Sequence, residues 1–349
     1  MKFGSSIRTP GVAAALISAL LFGAGTPAAK ALLYSIDPWM LAGWLYLGSG
    51  LGLTLYRRAV RAAPVRLAAR ERGWLAGAIL AGGVIGPVLL MVGLTGMAAS
   101  GASLLLNAEG VFTALLAWFV FKENFDRRIA LGMAAIALGA ALLSWPGRME
   151  LAAAWPALAV LGACLAWAID NNLTRKVALS DASWIAAIKG LAAGSVNLTL
   201  ALAMGASLPP WPTIAGAMIV GLLAYGVSLT LFVVALRHLG TARAGAYFSV
   251  APFFGALLGL ASGEAATPTL LASGGLMALG VWLHLTEQHG HAHDHTLIEH
   301  THEHIHDQHH QHVHDDGVTA DTSHVHWHRH APLRHVHAHF PDAHHRHRH

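Results

Sequence analysis

Apolar residues run along this chain in long blocks, and polar ones gather in short stretches between them. A block of about 18 to 25 residues is long enough to cross a hydrocarbon layer about 30 Å thick as a helix. Ten such spans are predicted, over 11–33, 38–56, 73–94, 98–121, 128–146, 153–174, 182–204, 212–236, 241–262 and 268–286. Beyond residue 286 the pattern changes: from 291 onward nearly every second position is a histidine.

Composition agrees with the blocks. The 349 residues are 55% hydrophobic and 11% charged, with mean hydropathy +0.51, which excludes a water-soluble domain of this size. Cys164 is the sole cysteine and lies in an apolar run, so neither a disulfide within the chain nor a thiol cluster for metal is available. Lys2 and Arg8 ahead of an apolar run that reaches "TPAAKA" imitate a cleaved signal. That run is longer than a signal's apolar region and nine more follow, so the first span is expected to stay.

The net charge of +4 hides a split: residues 1–286 hold 18 Lys+Arg against 9 Asp+Glu, and the remainder holds 4 against 9. With the N-terminus inside, fifteen Lys and Arg fall on the inner side, including Arg57, Arg58, Lys122, Arg175 and Arg237, while Arg148 and Lys30 fall outside. This positive-inside bias predicts an even number of spans with both termini cytoplasmic, in a bacterial cytoplasmic (inner) membrane.

The membrane body repeats itself. "GLTGMAASGASLLLNAEGVFTALL" (93–116) lies over "ALRHLGTARAGAYFSVAPFFGALL" (235–258) without a gap, and Phe22, Lys30 and Trp39 lie over Trp167, Arg175 and Trp184 at one constant offset. Five spans per half is odd, so the second half enters the membrane from the other side. The expected fold is therefore all-α and integral to the membrane: ten transmembrane helices as two inverted five-helix repeats, 10–146 and 152–286, followed by a disordered His-rich cytoplasmic tail, 287–349. Inverted repeats of this kind rock around a site near the bilayer midplane, giving alternating access.

The two halves resemble two EamA-type units of the drug/metabolite transporter superfamily. "FGAGTPAAK" and "WAIDNNLTR" stand in the first helix of each unit, and "NAEGVFTALLAWFVFKE" and "APFFGALLGLASGE" in the fourth. The proline usual in that fourth helix is present as Pro252 but replaced by Gly110 in the first unit. The resemblance covers about residues 10 to 286. It implies a secondary transporter, not an enzyme, that exports a small metabolite or drug-like compound without ATP. No phosphate-binding Gly-Lys-Ser/Thr loop is present, in keeping with a gradient-driven mechanism.

Ionisable groups in apolar spans are costly and mark function by default. Glu109, about halfway along the fourth span beside Asn107 and Gly110, is a candidate proton carrier or ligand for a cationic substrate; a hydrogen-bonded structural acid is the alternative. Asp170 and Lys189 lie at similar depth and could pair, as part of a polar pathway or as interhelical glue with Lys189 free to snorkel, and Asn171 and Asn172 make that turn polar. Trp44, Trp167, Tyr225 and Tyr247 are candidate cavity walls, and Lys30 reads better as a snorkelling anchor. Pairs of small residues in "GGVIG" (82–86), "GLAAG" (190–194) and "GALLG" (255–259) allow close helix approach.

The tail, with 23 of the 25 histidines, has too few apolar residues to bury and is expected to be disordered. Its candidate metal ligands are His291, His293, His295, His300, His302, His304, His306, His309, His310, His312, His314, His324, His326, His328 and His330. Imidazole suits Zn, Ni, Co or Cu, and no fixed Cys/His geometry chooses among them. pH sensing is the weaker alternative. Transport itself requires no cofactor. The expected partners are the lipid bilayer, a small-molecule substrate and transition-metal ions; a homodimer is allowed for and nucleic acid is not expected. Metal as cargo is one alternative, ranked lower because no histidine falls at mid-depth; a membrane-anchored metal buffer or sensor is the other, ranked lower because an anchor would not need two matched five-helix halves.

Overall fold

The computed structural model describes residues 10–65, 67–121, 127–145, 151–177, 181–235 and 247–285, together with the backbone of four strands between 290 and 338. Residues 1–287 and 288–349 form two separate units.

Local chemistry sets where the helices begin and end. Helix α1 spans Pro10–Leu32 and α2 spans Pro38–Ala59. Asp37 caps α2 by accepting from the backbone N–H groups of Trp39 (2.9 Å) and Met40 (3.3 Å), and Pro38 occupies a first-turn position whose N–H has no helical acceptor anyway. Helices α3 (Ala69–Ala78) and α4 (Gly86–Gly96) are joined by a π-helical turn over Ile79–Ile85. Then come α5 (Ala99–Leu105), α6 (Ala108–Phe121), α7 (Arg127–Ser144), α8 (Leu151–Thr174) and α9 (Ala182–Ala203). A second π-helical turn, Leu222–Val227, links α10 (Trp211–Gly221) to α11 (228–235). The unit ends with α12 (Ala251–Ala261) and α13 (Pro268–Leu285).

Past α9 and α12 the chain turns on Gly205 (φ 88°) and Gly263 (φ 97°), left-handed positions that a side chain would strain. Each turn returns an N–H to the helix end, Ala206 to the Ala201 carbonyl (3.0 Å) and Glu264 to the Gly259 carbonyl (3.3 Å). Gly263 thereby fixes where Glu264 lies.

Among the described residues, six helical runs are long and apolar enough to cross a membrane: Gly11–Leu32, Glu71–Gly96, Ala99–Leu116, Ala154–Thr174, Ala182–Ala203 and Trp211–Ala235. Shorter apolar helices cover Ala130–Ser144, Ala251–Ala261 and Pro268–Leu283. Small residues let them touch. A Cβ on Gly190 would run into the backbone of Gly50, one on Gly194 into Leu47, and one on Gly255 into Ser103 and the Gly23 carbonyl. The glycine pairs of "GLAAG" and "GALLG" therefore do what their spacing predicts, seating α9 on α2 and α12 on α5 and α1.

The structure differs from the sequence expectation in two places. A single helix was expected over 98–121, but α5 and α6 are separated at Leu106–Asn107. The break needs no proline. Asn107 donates from its side chain to the Leu104 carbonyl (2.9 Å) and its own N–H goes to the same carbonyl (3.1 Å), a local competition that helix interiors normally avoid. The tail, expected to be disordered, carries strands β1 (Gly290–His295), β2 (Ile298–His304), β3 (His324–His330) and β4 (Leu333–Ala338). Strand β1 pairs with β4 and β2 with β3, both antiparallel. Alternation of histidine with other residues is itself a period-two pattern, the side-chain period of a strand.

Candidate transport cavity

The break between α5 and α6 starts a new helix inside the bundle, and Glu109 sits in its first turn. Acidic groups are favoured there because the first N–H groups of a helix lack internal acceptors. Glu109 Oε1 accepts from Asn171 Nδ2 on α8 at 2.8 Å, and the same amide reaches Thr113 Oγ1 at 3.4 Å. Asn172 bridges Thr113 O (3.3 Å) and Ala168 O (2.9 Å), so the polar turn of α8 is tied to α6 by backbone as well as side-chain acceptors.

At the adjoining position of α8, Asp170 accepts from Lys189 Nζ with both oxygens, at 2.6 and 2.5 Å, and Thr174 Oγ1 adds a third bond to that carboxylate at 2.8 Å. Asp170 is only 6% exposed and pressed against Gly82, where any Cβ would collide with its carboxylate. The π-helical turn around Gly82 shifts the hydrogen-bond ladder, and side chains take the carbonyls there. Gly82 O accepts from Tyr46 Oη (2.8 Å) and Trp167 Nε1 (2.9 Å), and Gly83 O from Asn197 Nδ2 (3.1 Å).

These groups border a cavity of about 710 Å³. Glu109, Asn107, Asn171 and Lys189 supply its polar wall. Its apolar wall is aromatic: Phe22 meets Tyr225 edge-on (6.0 Å between centroids, 87°) and Phe248 at 5.3 Å, Tyr46 stacks obliquely on Tyr225 at 5.6 Å, and Phe232 meets Phe248 at 4.8 Å. Thr174, Ala182, Ile185, Leu229 and Phe232 carry the cavity to the end of the bundle where α8 stops and α9 starts. A second hollow of about 570 Å³, lined by Val65, Leu67, Arg72 and Trp184, has one charged group and no convergent polar set.

At the opposite end, side chains bond to backbone across helices. Glu264 accepts from Ala99 N and Ser100 N, both at 2.7 Å, at the start of α5, and Lys30 Nζ donates to Leu94 O at 2.5 Å. Partial burial works against the Glu264 charge. The Ser100 hydroxyl, the two N–H groups and nearby Lys30 outweigh it and hold the carboxyl below its usual range. At the cavity end, Arg57 Nη1 lies 2.8 Å from Asp181 Oδ2 and 2.6 Å from Ser183 Oγ, and Asp181 also caps α9 through Trp184 N (3.1 Å). Partial burial again opposes the charge, but Ser183, Arg57 and Trp184 N–H pull the Asp181 carboxyl down to about 2.

Asp181 therefore contributes stability that is complete above its unfolded pKa of about 3.9 and disappears as pH falls through about 2. The Asp181 side chain is 40% exposed, so Asp181→Asn is expected to lower the melting temperature only slightly at pH 7, in line with about 0–1 kcal/mol for a solvent-screened pair. Melting curves of wild type and variant should converge as pH drops from 4 toward 2.

Of the residues singled out in sequence, Glu109, Asn107, Asn171, Lys189 and Trp167 meet at the cavity, and Asp170 stands behind it as the partner of Lys189. Tyr247 does not line it; the ring packs on Ala14, Ala15 and Ala235, and its neighbour Phe248 is the wall residue. Trp44 is packed in the core and Tyr225 lines the cavity. Tyr46, Phe22, Phe232 and Phe248 were not legible as wall residues. In the tail, His306, His309, His310, His312 and His314 lie outside the described residues.

Apolar membrane-length helices around a polar and aromatic hollow mark a multi-pass membrane protein. Residues 9–145 match the model of the EamA-like transporter family. The chain is 27% identical over 268 residues to a protein of Methanothermobacter thermautotrophicus (strain Delta H) described as an uncharacterized transporter, covering 72% of this chain and 78% of that protein. A solved crystal structure of a protein superimposes with a TM-score of 0.60 at 17% identity, over 78% of this chain and 98% of the other, which is a likeness of fold.

Proposed function

We infer that the protein is a gradient-driven secondary transporter that exports a small metabolite or drug-like compound, with an apolar body and a cationic group as the substrate features that fit. The observation that carries this reading is Glu109, set at a helix break on the wall of an aromatic-lined cavity. Aromatic faces and a carboxylate together attract an organic cation, and one carboxylate that takes either a proton or the substrate couples the two movements. Among the described residues no group of three His, Cys, Asp or Glu is placed to hold a metal ion in the membrane unit, which favours an organic cargo over metal.

The ten-span, inverted-repeat arrangement belongs to this proposal, and symmetry in the packing supports it. Helix α8 touches α4 and α6, and its repeat partner α1 touches the second π-helical turn and α12; α2 packs on α9, and α7 on α13. Both π-helical turns fall in the third helix of a unit, and the turn at 249–250 before α12 corresponds to the break after α5. With the arginine-rich end cytoplasmic, the cavity faces inward and Glu264 and Lys30 close the outer end. The tail is then a cytoplasmic extension that binds transition metal.

Purified protein in proteoliposomes, given a pH gradient and a panel of organic cations, neutral metabolites and divalent metals, tests this. We expect flux of at least one organic cation that collapses with the gradient. Flux of Zn²⁺, Ni²⁺ or Co²⁺ alone would overturn the cargo assignment.

A further inference from the structure

The strand registers of the tail place histidine opposite histidine. In β1 and β4 the pairs are His291 with His337 and His293 with His335; in β2 and β3 they are His300 with His328, His302 with His326 and His304 with His324. Residues two apart on a strand share a face, and directly opposed residues share it too. One face of the first ladder therefore carries five histidines, four of them in opposed pairs and His295 opposite Leu333, and one face of the second carries seven, six of them in opposed pairs and His330 opposite Ile298.

The alternate positions lock this register. Asp294 stands opposite Arg334 and Glu299 opposite Arg329, opposite charges that favour the pairing. A slip of one residue would part every histidine pair. A slip of two would restore histidine to histidine but set Asp294 against Pro332 or Val336, and Glu299 against Trp327 or Ala331.

The spacing suits a closed tetrahedral site. Directly opposed residues have Cβ atoms about 4.5–5.5 Å apart, and two nitrogens at about 2.0–2.1 Å from one ion lie about 3.3–3.4 Å from each other. One cross-strand pair thus spans two ligand positions, and the neighbouring pair, about 6.5–7 Å along the strand, supplies the other two. We propose that the tail holds two defined four-histidine sites for a divalent transition metal, one built from His291, His293, His335 and His337, the other from adjacent pairs of the row His300/His328, His302/His326 and His304/His324. The proposal rests on the reading of the tail as metal-binding and gives that reading specific ligands. Metal bound there ties β1 to β4 and β2 to β3.

A permutation that keeps composition constant tests it. In the full-length protein in detergent, Ala292→His with His293→Ala and Thr301→His with His302→Thr move one histidine of each site to the other face. Wild type is expected to take up two Zn²⁺ ions per chain tightly against a competing chelator, and to give the intense visible absorption of tetrahedral Co²⁺. The permuted protein is expected to bind at least tenfold more weakly and to lose that absorption. Equal stoichiometry, affinity and spectrum in the two proteins would overturn the defined sites while leaving a metal-binding tail. No tight Zn²⁺ or Co²⁺ binding by wild type would overturn the tail reading as well, with flux through the membrane unit unaffected.

Discussion

Glu109→Gln is expected to reduce gradient-driven flux by about ten- to a hundredfold and to abolish its dependence on pH. The substitution keeps the side chain's shape, and a glutamine carbonyl still accepts the bond from Asn171 that the carboxylate accepts at 2.8 Å. Folding is therefore preserved, and the melting temperature should stay near that of wild type. What is lost is the charge. A hydrogen bond to a charged group contributes about 1.5–3 kcal/mol, and 1.4 kcal/mol is a factor of ten, which sets the expected range. Without a titrating group, a proton no longer competes with the substrate, so counterflow at equal pH on both sides should become indifferent to pH. Asn171→Ala is expected to do less, because it removes one donor and leaves the carboxylate. Flux that remains pH-dependent and undiminished in Glu109→Gln would remove this residue from the coupling path.

Much of this site could be read from sequence because charge in an apolar run has few ways to be satisfied. Asp170 and Lys189, nineteen positions apart, fall at similar depth on two neighbouring helices, which left pairing open to them, and they do pair. Glycines at four-residue spacing predicted close helix contacts for the same kind of reason, since only a missing side chain permits them. The aromatic wall was harder. Tyr46, Phe22, Phe232 and Phe248 sit in apolar helices where a ring is ordinarily packing, and only their convergence from α1, α2, α11 and the segment before α12 makes a wall. The two π-helical turns have no sequence signature beyond a local excess of glycine, yet the first creates the acceptors at Gly82 and Gly83 that orient Tyr46, Trp167 and Asn197. Glu264 closes "APFFGALLGLASGE" as Glu123 closes "NAEGVFTALLAWFVFKE" in the other half. Its target was not legible, because the capture of Ala99 and Ser100 N–H depends on the left-handed turn at Gly263. The helix break beside Glu109 was masked by the rule that prolines break membrane helices, when a side-chain amide at Asn107 is sufficient.

The largest stability effect is expected at the buried ion pair. Lys189→Met leaves the Asp170 carboxylate, 6% exposed and wedged against Gly82, with Thr174 as its remaining described hydrogen-bond partner. Stranding one member of such a pair costs about 3–5 kcal/mol, and a matching fall in detergent thermal stability should follow. Asp170→Asn in the same chain removes the stranded charge while keeping the shape beside Gly82 and the bond to Thr174. The double variant is therefore expected to recover most of the lost stability, since replacing both members of a buried pair is often nearly neutral. Flux should separate from stability at this point. Lys189 lines the cavity that Glu109 also lines, so restoring the fold without the ammonium is expected to leave transport impaired. A double variant that regains wild-type flux along with its melting temperature would make the pair a fastening between α8 and α9 and nothing more.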